Sequence, residues 1–303
     1  MPTALLLGDE AVAHGAIDAG LAGAFAYPGT PSTEIFECIE DQVARRPELH
    51  IFAEWASNEK VAYEEALGMS YAGKRALVTM KHVGLNVAMD PFVSSALTGV
   101  NAGIVLAVGD DPSMHSSQNE QDSRVLADFV QIPVFEPSNQ QEAYEMTREA
   151  FDYSERVGLP VMIRLVTRLC HSRASVALAG PEDPALRDRP TLPRGESNNW
   201  TLVPVNARRR FRHLLALQPS LVEDSERTPR NSLRLGGHRG IITSGIAYNY
   251  VREVLGDDAG EYSILKVTRY PIPTALVRTL VDHCDEITLL EEGYPYIERR
   301  LRG

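Results

Sequence analysis

A carboxylate that leads a stripe of small side chains is the first candidate for chemistry in this chain. In the run 54–73, helical spacing places Glu59 on one face with Ala62, Ala66 and Gly73. Small side chains allow a second backbone or a flat ligand to approach closely. A carboxyl group that loses water in such a place has a raised pKa and can exchange a proton near neutral pH. Because surface glutamates are common, a solvated Glu59 is the alternative.

A second candidate is the turn 27–34, which follows a short predicted strand. Thr30 is expected to be the N-cap of a helix, Pro31 suits its first position, and Glu34 complements the helix dipole. A hydroxyl and free N–H groups at the carboxyl end of a parallel strand are also typical of a ligand site. The helix-start and binding interpretations are equally supported by these residues.

Two further segments carry polar side chains just beyond predicted strands. Lys81 and His82 stand in a tight turn between a strand and a helix, and a solvated pair is the alternative. The polar run 109–124 is either a loop or a binding surface, and Ser117–Glu120 is expected to open the following helix. His115 has no second His or Cys near it, and the carboxylates are not in calcium-loop order, so no metal site is predicted.

Composition narrows the class of protein further. The chain has 303 residues, of which 44% are hydrophobic and 23% charged, and its net charge is −11. These values indicate a globular protein of two domains, and the acidic balance makes nucleic acid a poor candidate partner. Three scattered cysteines without a CxxC cannot build a cluster site or a disulfide framework. With no apolar run of membrane-spanning length and no signal-peptide core, we expect a soluble, cytoplasmic protein.

Short β-type runs alternate with longer helical stretches through residues 8–178, which predicts a parallel α/β sheet covered on both faces. Ser138–Gln141 is expected to be the capping box of a helix that Gly158 and Pro160 end. The sequence lacks GxGxxG after the first strand, GxxxxGK[ST], GxSxG and HExxH. The predicted strands are Gly23–Ala26, Ala76–Met80, Gly103–Val108, Pro133–Phe135 and Val161–Leu165.

The second part of the chain has a different character. Residues 179–236 are rich in proline and charged residues, which predicts an exposed linker. A basic helix is predicted within it, over Val205–Glu226, and its arginines either face solvent or contact a partner subunit. Three strands are predicted after residue 239, which are few for an independent sheet. We therefore expect this part to pack against the first part of the chain or against another chain. The three strands are Gly240–Thr243, Tyr262–Val267 and Glu286–Leu290, with helices predicted over Ala247–Leu255 and Pro273–Asp282.

Together these segments resemble the large subunit of indolepyruvate:ferredoxin oxidoreductase and related aryl 2-oxoacid oxidoreductases, which depend on thiamine diphosphate. The resemblance covers most of residues 8–178 and 239–298. It is carried by the runs NEKVAYEEALGMSYAGKRALVTMKHVGLNVAMDP, DDPSMHSSQNEQDSR, GLPVMIRLVTRLCHSR and GIITSGIAYNYV.

The resemblance implies an α/β fold with three parts. Residues 1–178 would form the parallel-sheet domain that holds the pyrimidine ring of thiamine diphosphate, and 179–236 a linker with a basic helix. Residues 237–303 would form a smaller α/β domain of the transketolase C-terminal type, ending short of the family's domain.

The resemblance also implies roles for individual residues. Glu59 matches the glutamate that bonds the pyrimidine ring nitrogen, where it would shuttle the proton that activates the cofactor for attack on a 2-oxo carbon. The cofactor-binding candidates are Glu59, Gly29, Gly84, Leu85 and Asn86. The substrate-binding candidates are Thr30, Lys81, His82, His115, Gln118, Asn119 and Arg124.

Departures from the family imply partners. The family's second thiamine domain, with its GDG motif, and its ferredoxin-like cysteine module have no counterpart here, since Gly109–Asp111 is not that motif. A partner chain would therefore complete the site for thiamine diphosphate and Mg²⁺, and other chains of a hetero-oligomer would carry iron–sulfur clusters. Coenzyme A would be the co-substrate. Otherwise the chain is a fragment. The alternatives are a non-redox split 2-oxoacid decarboxylase subunit of the sulfopyruvate type and a catalytically silent scaffold.

Overall fold

The computed structural model describes residues 2–182, 184–192 and 197–302. Within these ranges the chain forms thirteen strands, which alternate with helices for most of its length. In chain order they are β1 Thr3–Leu7, β2 Gly23–Ala26, β3 Phe52–Trp55, β4 Ala76–Lys81, β5 Ile104–Asp110, β6 Val134–Phe135, β7 Val161–Val166, β8 Arg173–Ala177, β9 Ser232–Arg234, β10 Arg239–Ser244, β11 Tyr262–Val267, β12 Arg269–Tyr270 and β13 Glu286–Leu290.

The same ranges contain thirteen α-helices and three short 3₁₀ turns, at Pro47–Leu49, Pro184–Arg187 and Gly256–Glu261. The helices are α1 Gly8–Asp18, α2 Thr33–Arg45, α3 Glu59–Tyr71, α4 His82–Val87, α5 Met89–Thr98, α6 Ser123–Val130, α7 Gln140–Val157, α8 Thr167–His171, α9 Ser197–Trp200, α10 Pro204–Arg227, α11 Ala247–Leu255, α12 Thr274–His283 and α13 Tyr296–Arg302. Among the described residues, no helix is long and apolar enough to cross a membrane.

A seven-stranded sheet forms the core, with strand order β12-β6-β7-β5-β4-β2-β3. Its six strands from β6 to β3 are parallel, and only β12 runs antiparallel, against β6. Every residue of β4, β5 and β7 is buried, as expected for central strands covered on both faces. Helix α1 packs against α2 and α7, while α3 packs against α5 and strands β2 and β4. The predicted parallel α/β fold is confirmed.

A second sheet has the order β13-β10-β11-β9, and β1 pairs with β8 in a separate two-stranded sheet. Strands β10, β11 and β13 are parallel, as their α/β rhythm predicts, and β9 adds an antiparallel edge that sequence analysis missed. The expectation that this part leans on the first is confirmed, because β12 belongs to the large sheet. The division into domains at residues 178 and 236 stays a prediction.

Three predicted helix starts are wrong. The helix after the polar run begins at Ser123, not near Ser117, because the Asp122 carboxylate accepts from the Arg124 N–H and caps it there. Helix α2 begins at Thr33, so Thr30 is not its N-cap. In α7 the N-cap is Asn139, one residue after the predicted Ser138.

Asn231 ties the two parts of the chain together. Its side chain is 5% exposed and donates to the carbonyl oxygens of Ser225 and Arg269, both at 2.8 Å. Its Oδ1 accepts from the N–H groups of Thr268, at 2.7 Å, and Arg269, at 2.9 Å. The end of α10 is thereby joined to the connection between the two large sheets.

Replacing Asn231→Ala should therefore lower the free energy of unfolding by about 2–4 kcal/mol, because it leaves buried backbone groups without partners. Urea unfolding of the purified chain measures the change. The exposed Asn86 is the matched control, and Asn86→Ala should change stability by less than about 0.5 kcal/mol. A loss below about 1 kcal/mol for Asn231→Ala would show that the tie contributes little.

Candidate functional site

The predicted site residues meet at one edge of the large sheet, where its parallel strands end. The turn 27–32 follows β2, Lys81 ends β4, and the loop 111–122 follows β5. Helix α3, which begins with Glu59, follows β3. Because β5, β4, β2 and β3 are neighbours, these segments gather at their common carboxyl edge, where open α/β sheets bind ligands.

Glu59 is held at this edge by the start of α3 and by a glycine opposite. The Asn58 side chain caps the helix by accepting from the Val61 N–H at 3.0 Å. Glu59 is 9% exposed, and within the described residues its carboxylate makes no hydrogen bond or ion pair. A Cβ at Gly84 would lie 2.4 Å from Glu59 Oε1, so any larger residue there would displace the carboxylate from this position. Glu59 is therefore a buried acid beside the α4 backbone, and its carboxylate is available to accept a hydrogen bond.

The turn after β2 is packed tightly against the two central strands. A Cβ at Gly29 would lie 3.0 Å from Lys81 Cδ, and one at Gly109 would lie 2.9 Å from Pro31 Cγ. The Gly29 N–H donates to Thr33 Oγ1 at 2.8 Å. Thr30 lies at the tip of this turn and is exposed, so its hydroxyl is accessible from solvent.

Lys81 and His82 are both buried, so the alternative of a solvated pair is wrong. Lys81 Nζ donates to the Ser116 carbonyl oxygen at 3.1 Å, and His82 Nε2 donates to that of Asn119 at 3.1 Å. Both side chains therefore hold the polar loop against the end of β4. Of the other candidates from this turn, Leu85 is fully buried and Asn86 is exposed.

Asp111 anchors the same loop from its other side. One carboxylate oxygen accepts from the Ser116 N–H and the Ser117 hydroxyl, each at 2.7 Å, and the other accepts from Thr167 Oγ1 at 2.8 Å. Burial alone would raise the pKa of Asp111, but these hydrogen bonds outweigh it and lower the pKa to about 2. Sequence reasoning missed Asp111, since an acidic residue in a polar run has no distinguishing pattern. The loop it anchors exposes His115, Gln118 and Asn119.

Arg124 does not face this surface, so we remove it from the substrate-binding candidates. It is 1% exposed, and its guanidinium pairs with Asp122, Glu136 and Glu291. Its position in the polar run suggested accessibility, but the N-cap at Asp122 turns the chain inward at this point.

Arg124 belongs instead to a buried ionic cluster with Asp110, Asp122, Glu136 and Arg164. Arg164 Nε donates to Asp110 at 2.7 Å, and its other nitrogens reach Glu136 and Asp122. Burial would raise the pKa of Asp122, but Arg164 and Arg124 hold it below its ordinary value. Arg124 also donates to Ser244 Oγ and to the Tyr294 carbonyl oxygen, so the cluster joins the site edge to the second sheet and the segment beyond it.

A cleft of about 650 Å³ lies beside this cluster, between the polar loop and the segment that follows β13. Its walls do not include Glu59 or Thr30, so it is separate from the edge described above. It is lined in part by Ser113, Glu120, Tyr250, Glu292 and Tyr294.

The sequence matches the family model for the thiamine-diphosphate-binding part of pyruvate flavodoxin/ferredoxin oxidoreductases over residues 14–222. Since this match covers more than half of the chain, the protein belongs to that family. The matched range contains Glu59, Gly84 and the whole polar loop.

Curated relatives agree with this membership. The chain is 40% identical over 98% of its length to the indolepyruvate oxidoreductase subunit IorA of Archaeoglobus fulgidus, and 39% identical to that of Pyrococcus horikoshii. It is 27% identical over 62% of its length to the 2-oxoglutarate synthase subunit KorA of Methanothermobacter marburgensis. It spans about half the length of the relatives it matches: 48%, 46% and 51%, respectively.

The fold is also that of a solved structure, the 2-oxoglutarate:ferredoxin oxidoreductase from Magnetococcus marinus with 2-oxoglutarate, coenzyme A and succinyl-CoA bound. The TM-score is 0.82, with 99% of this chain and 60% of that chain covered. At 18% sequence identity this likeness shows the α/β fold alone.

Replacing Asp111→Asn should destabilise the chain by about 2 kcal/mol near pH 7, because the neutral amide is a poorer acceptor for the loop. The pKa of Asp111 is lower in the folded chain than in the unfolded chain, so its contribution is present above about pH 4 and is lost as the pH falls towards 2. The difference in the free energy of unfolding between wild type and Asp111→Asn should decrease over that pH range.

Urea unfolding at a series of pH values measures both stabilities, and hydrogen exchange of residues 112–121 reports on the loop itself. Exchange should accelerate in the variant at neutral pH. A pH-independent difference would contradict the assignment of this carboxylate as the loop's anchor.

Proposed function

We propose that this chain is the pyrimidine-side subunit of a thiamine-diphosphate-dependent 2-oxoacid oxidoreductase. The observation that carries the proposal is Glu59, a buried carboxylate without a partner in the described structure, facing the backbone of Gly84 at the ligand-binding edge of a parallel sheet. Membership of a thiamine-diphosphate-binding family supports it.

The residues present fit the pyrimidine end of the cofactor. A ring nitrogen needs one carboxyl group at hydrogen-bond distance, and Glu59 offers one, held beside the Gly84 backbone. Leu85, fully buried in α4, adds apolar surface, while Gly29 lies in the turn after β2 and Asn86 lies in α4. Sequence analysis predicted these residues as cofactor ligands, and that prediction forms part of the proposal.

Thiamine diphosphate, when bound, supplies a carbon nucleophile that decarboxylates 2-oxoacids. Glu59 would hold a proton at the pyrimidine ring nitrogen. It would exchange this proton while the amino group of the ring gains and loses a proton. The small side chains of α3 behind Glu59, such as Ala62 and Ala66, are fully buried and exclude water from its far side. Asn58 fixes the helix start, so the carboxylate stays in place during the exchange.

The substrate would lie between the turn at Thr30 and the polar loop. The Thr30 hydroxyl is exposed on one side, and His115, Gln118 and Asn119 are exposed on the other. Lys81 and His82 position the loop by donating to its carbonyl oxygens, and the Lys81 ammonium adds positive charge for a 2-oxoacid carboxylate. The names of the 40% and 39% identical relatives support an aryl 2-oxoacid such as indolepyruvate.

The complete reaction would convert a 2-oxoacid and coenzyme A into an acyl-CoA, carbon dioxide, a proton and two electrons. In the described residues the three cysteines are free and separate, so iron–sulfur clusters on partner chains would accept the electrons. A diphosphate-binding subunit would complete the site for the cofactor and Mg²⁺ in a hetero-oligomer. The free thiols suit the reducing cytoplasm.

Replacing Glu59→Gln should lower turnover of the assembled enzyme by about 10²–10⁴-fold, because the amide cannot exchange the proton. Electron transfer to a reporter dye, measured with an aryl 2-oxoacid and coenzyme A, gives the rate. Glu64→Gln, on the exposed side of the same helix, is the matched control and should leave the rate near wild type. Near-normal turnover in Glu59→Gln, with the complex intact by gel filtration, would refute the role.

A second prediction concerns the division of the site between chains. The isolated 303-residue chain should bind thiamine diphosphate weakly, since the proposal assigns the diphosphate end of the cofactor to a partner, whereas the assembled complex should bind it tightly. Isothermal titration calorimetry compares the two, and native mass spectrometry with iron analysis identifies the partners. Tight stoichiometric binding by the isolated chain would refute the shared site, and an iron-free active complex would favour the non-redox decarboxylase.

A further inference from the structure

A second group of polar side chains lies on the helices α1, α2 and α8, away from Glu59. Asp9, Glu34 and His171 each place one potential ligand atom within 4.8 Å of the other two. Sequence analysis predicted no metal site and did not connect these three residues, which are far apart in the chain. The fold brings them together, since α2 and α8 both follow strands of the large sheet and α1 packs against each of them.

The environment of Asp9 sets this group apart from an ordinary surface cluster. Asp9 is 0% exposed, and among the described residues no N–H or O–H group donates to its carboxylate; its one hydrogen-bonding neighbour is the Cys170 thiol, a weak donor. Among the same residues, Glu34 Oε2 is buried without a partner. A buried carboxylate with only a weak donor is costly, and buried charges are normally paired or bound to a metal.

Close packing of the backbone keeps Asp9 in this position. A Cβ at Gly8 would lie 2.2 Å from the Leu169 carbonyl oxygen, so glycine alone allows the start of α1 to meet α8 this closely. Asp9 is thereby fixed beside the last turn of α8, which carries His171. The carboxylate cannot withdraw towards solvent to find a partner in water.

Glu34 and His171 complete the group from the solvent side. His171 Nε2 lies 3.6 Å from Glu34 Oε1, and both side chains are 36% exposed. An ion could therefore enter between them and reach Asp9 behind. We propose that Asp9, Glu34 and His171 bind a divalent transition-metal ion, with Zn²⁺ the best match to two carboxylates and one imidazole.

The ion would have a structural role at the edge of the active site. It would join three helices that are separate along the chain, and Glu34 lies in the first turn of α2, just after the turn that carries Thr30. The turn that presents Thr30 would thus be held from behind by the metal. This site is distinct from the Mg²⁺ of the cofactor, which the proposed function assigns to a partner chain.

Isothermal titration of the chelator-treated 303-residue chain with ZnCl₂ tests the proposal. We expect saturable binding of about one equivalent and a rise in the thermal unfolding midpoint, since an ion bound only to the folded state stabilises it. Asp9→Asn and His171→Ala should each weaken binding by at least about tenfold. His171→Ala alters an exposed side chain and Asp9→Asn keeps the shape, so both variants should fold.

His283→Ala is the matched control, because His283 stacks on His238 and this pair offers two imidazoles outside the proposed site. Zn²⁺ binding should be unchanged in this variant. Absence of saturable binding to wild type would overturn the proposal. Binding that survives both Asp9→Asn and His171→Ala, or that is lost in His283→Ala, would overturn it as well.

Discussion

The buried ionic cluster around Arg124 and Arg164 is the constraint on which the rest of this structure depends. Two guanidinium groups and three carboxylates, from Asp110, Asp122 and Glu136, are removed from water at the carboxyl ends of the central strands. Removing either guanidinium would leave buried carboxylates without their cation, so the cluster fixes where the polar loop ends and α6 begins. Because Arg124 also reaches Ser244 and the Tyr294 carbonyl, the second sheet is held against the same edge.

Around that constraint, close approaches of backbone place the groups that would do chemistry. Gly84 lets the Glu59 carboxylate lie against α4, and Gly29 lets the turn of Thr30 lie against Lys81. Lys81, His82 and Asp111 then hold the polar loop on the other side of the edge. The result is a rigid frame with one free acid, which is what a proton-exchanging group requires.

Much of the fold could be predicted from the sequence, because central strands are continuous apolar runs and helical spacing is regular. Strands β11 and β13 and helix α11 occupy the predicted residues. The short edge strands β3 and β9 lack such a pattern and were missed. At the site, the small-residue stripe behind Glu59 was visible in the spacing, whereas the burial of Arg124 was not. A side chain's ion partners come from residues distant in the chain, such as Glu136 and Glu291, and local patterns do not reveal them.

The central claim is that Glu59 is the acid that meets the pyrimidine ring of thiamine diphosphate. An experimental structure of the assembled complex with the cofactor bound measures this directly, as the distance from the ring nitrogen to the nearer Glu59 oxygen. The account predicts a hydrogen bond of about 2.6–3.0 Å. A separation beyond about 4 Å, or another carboxylate at that nitrogen, would contradict it.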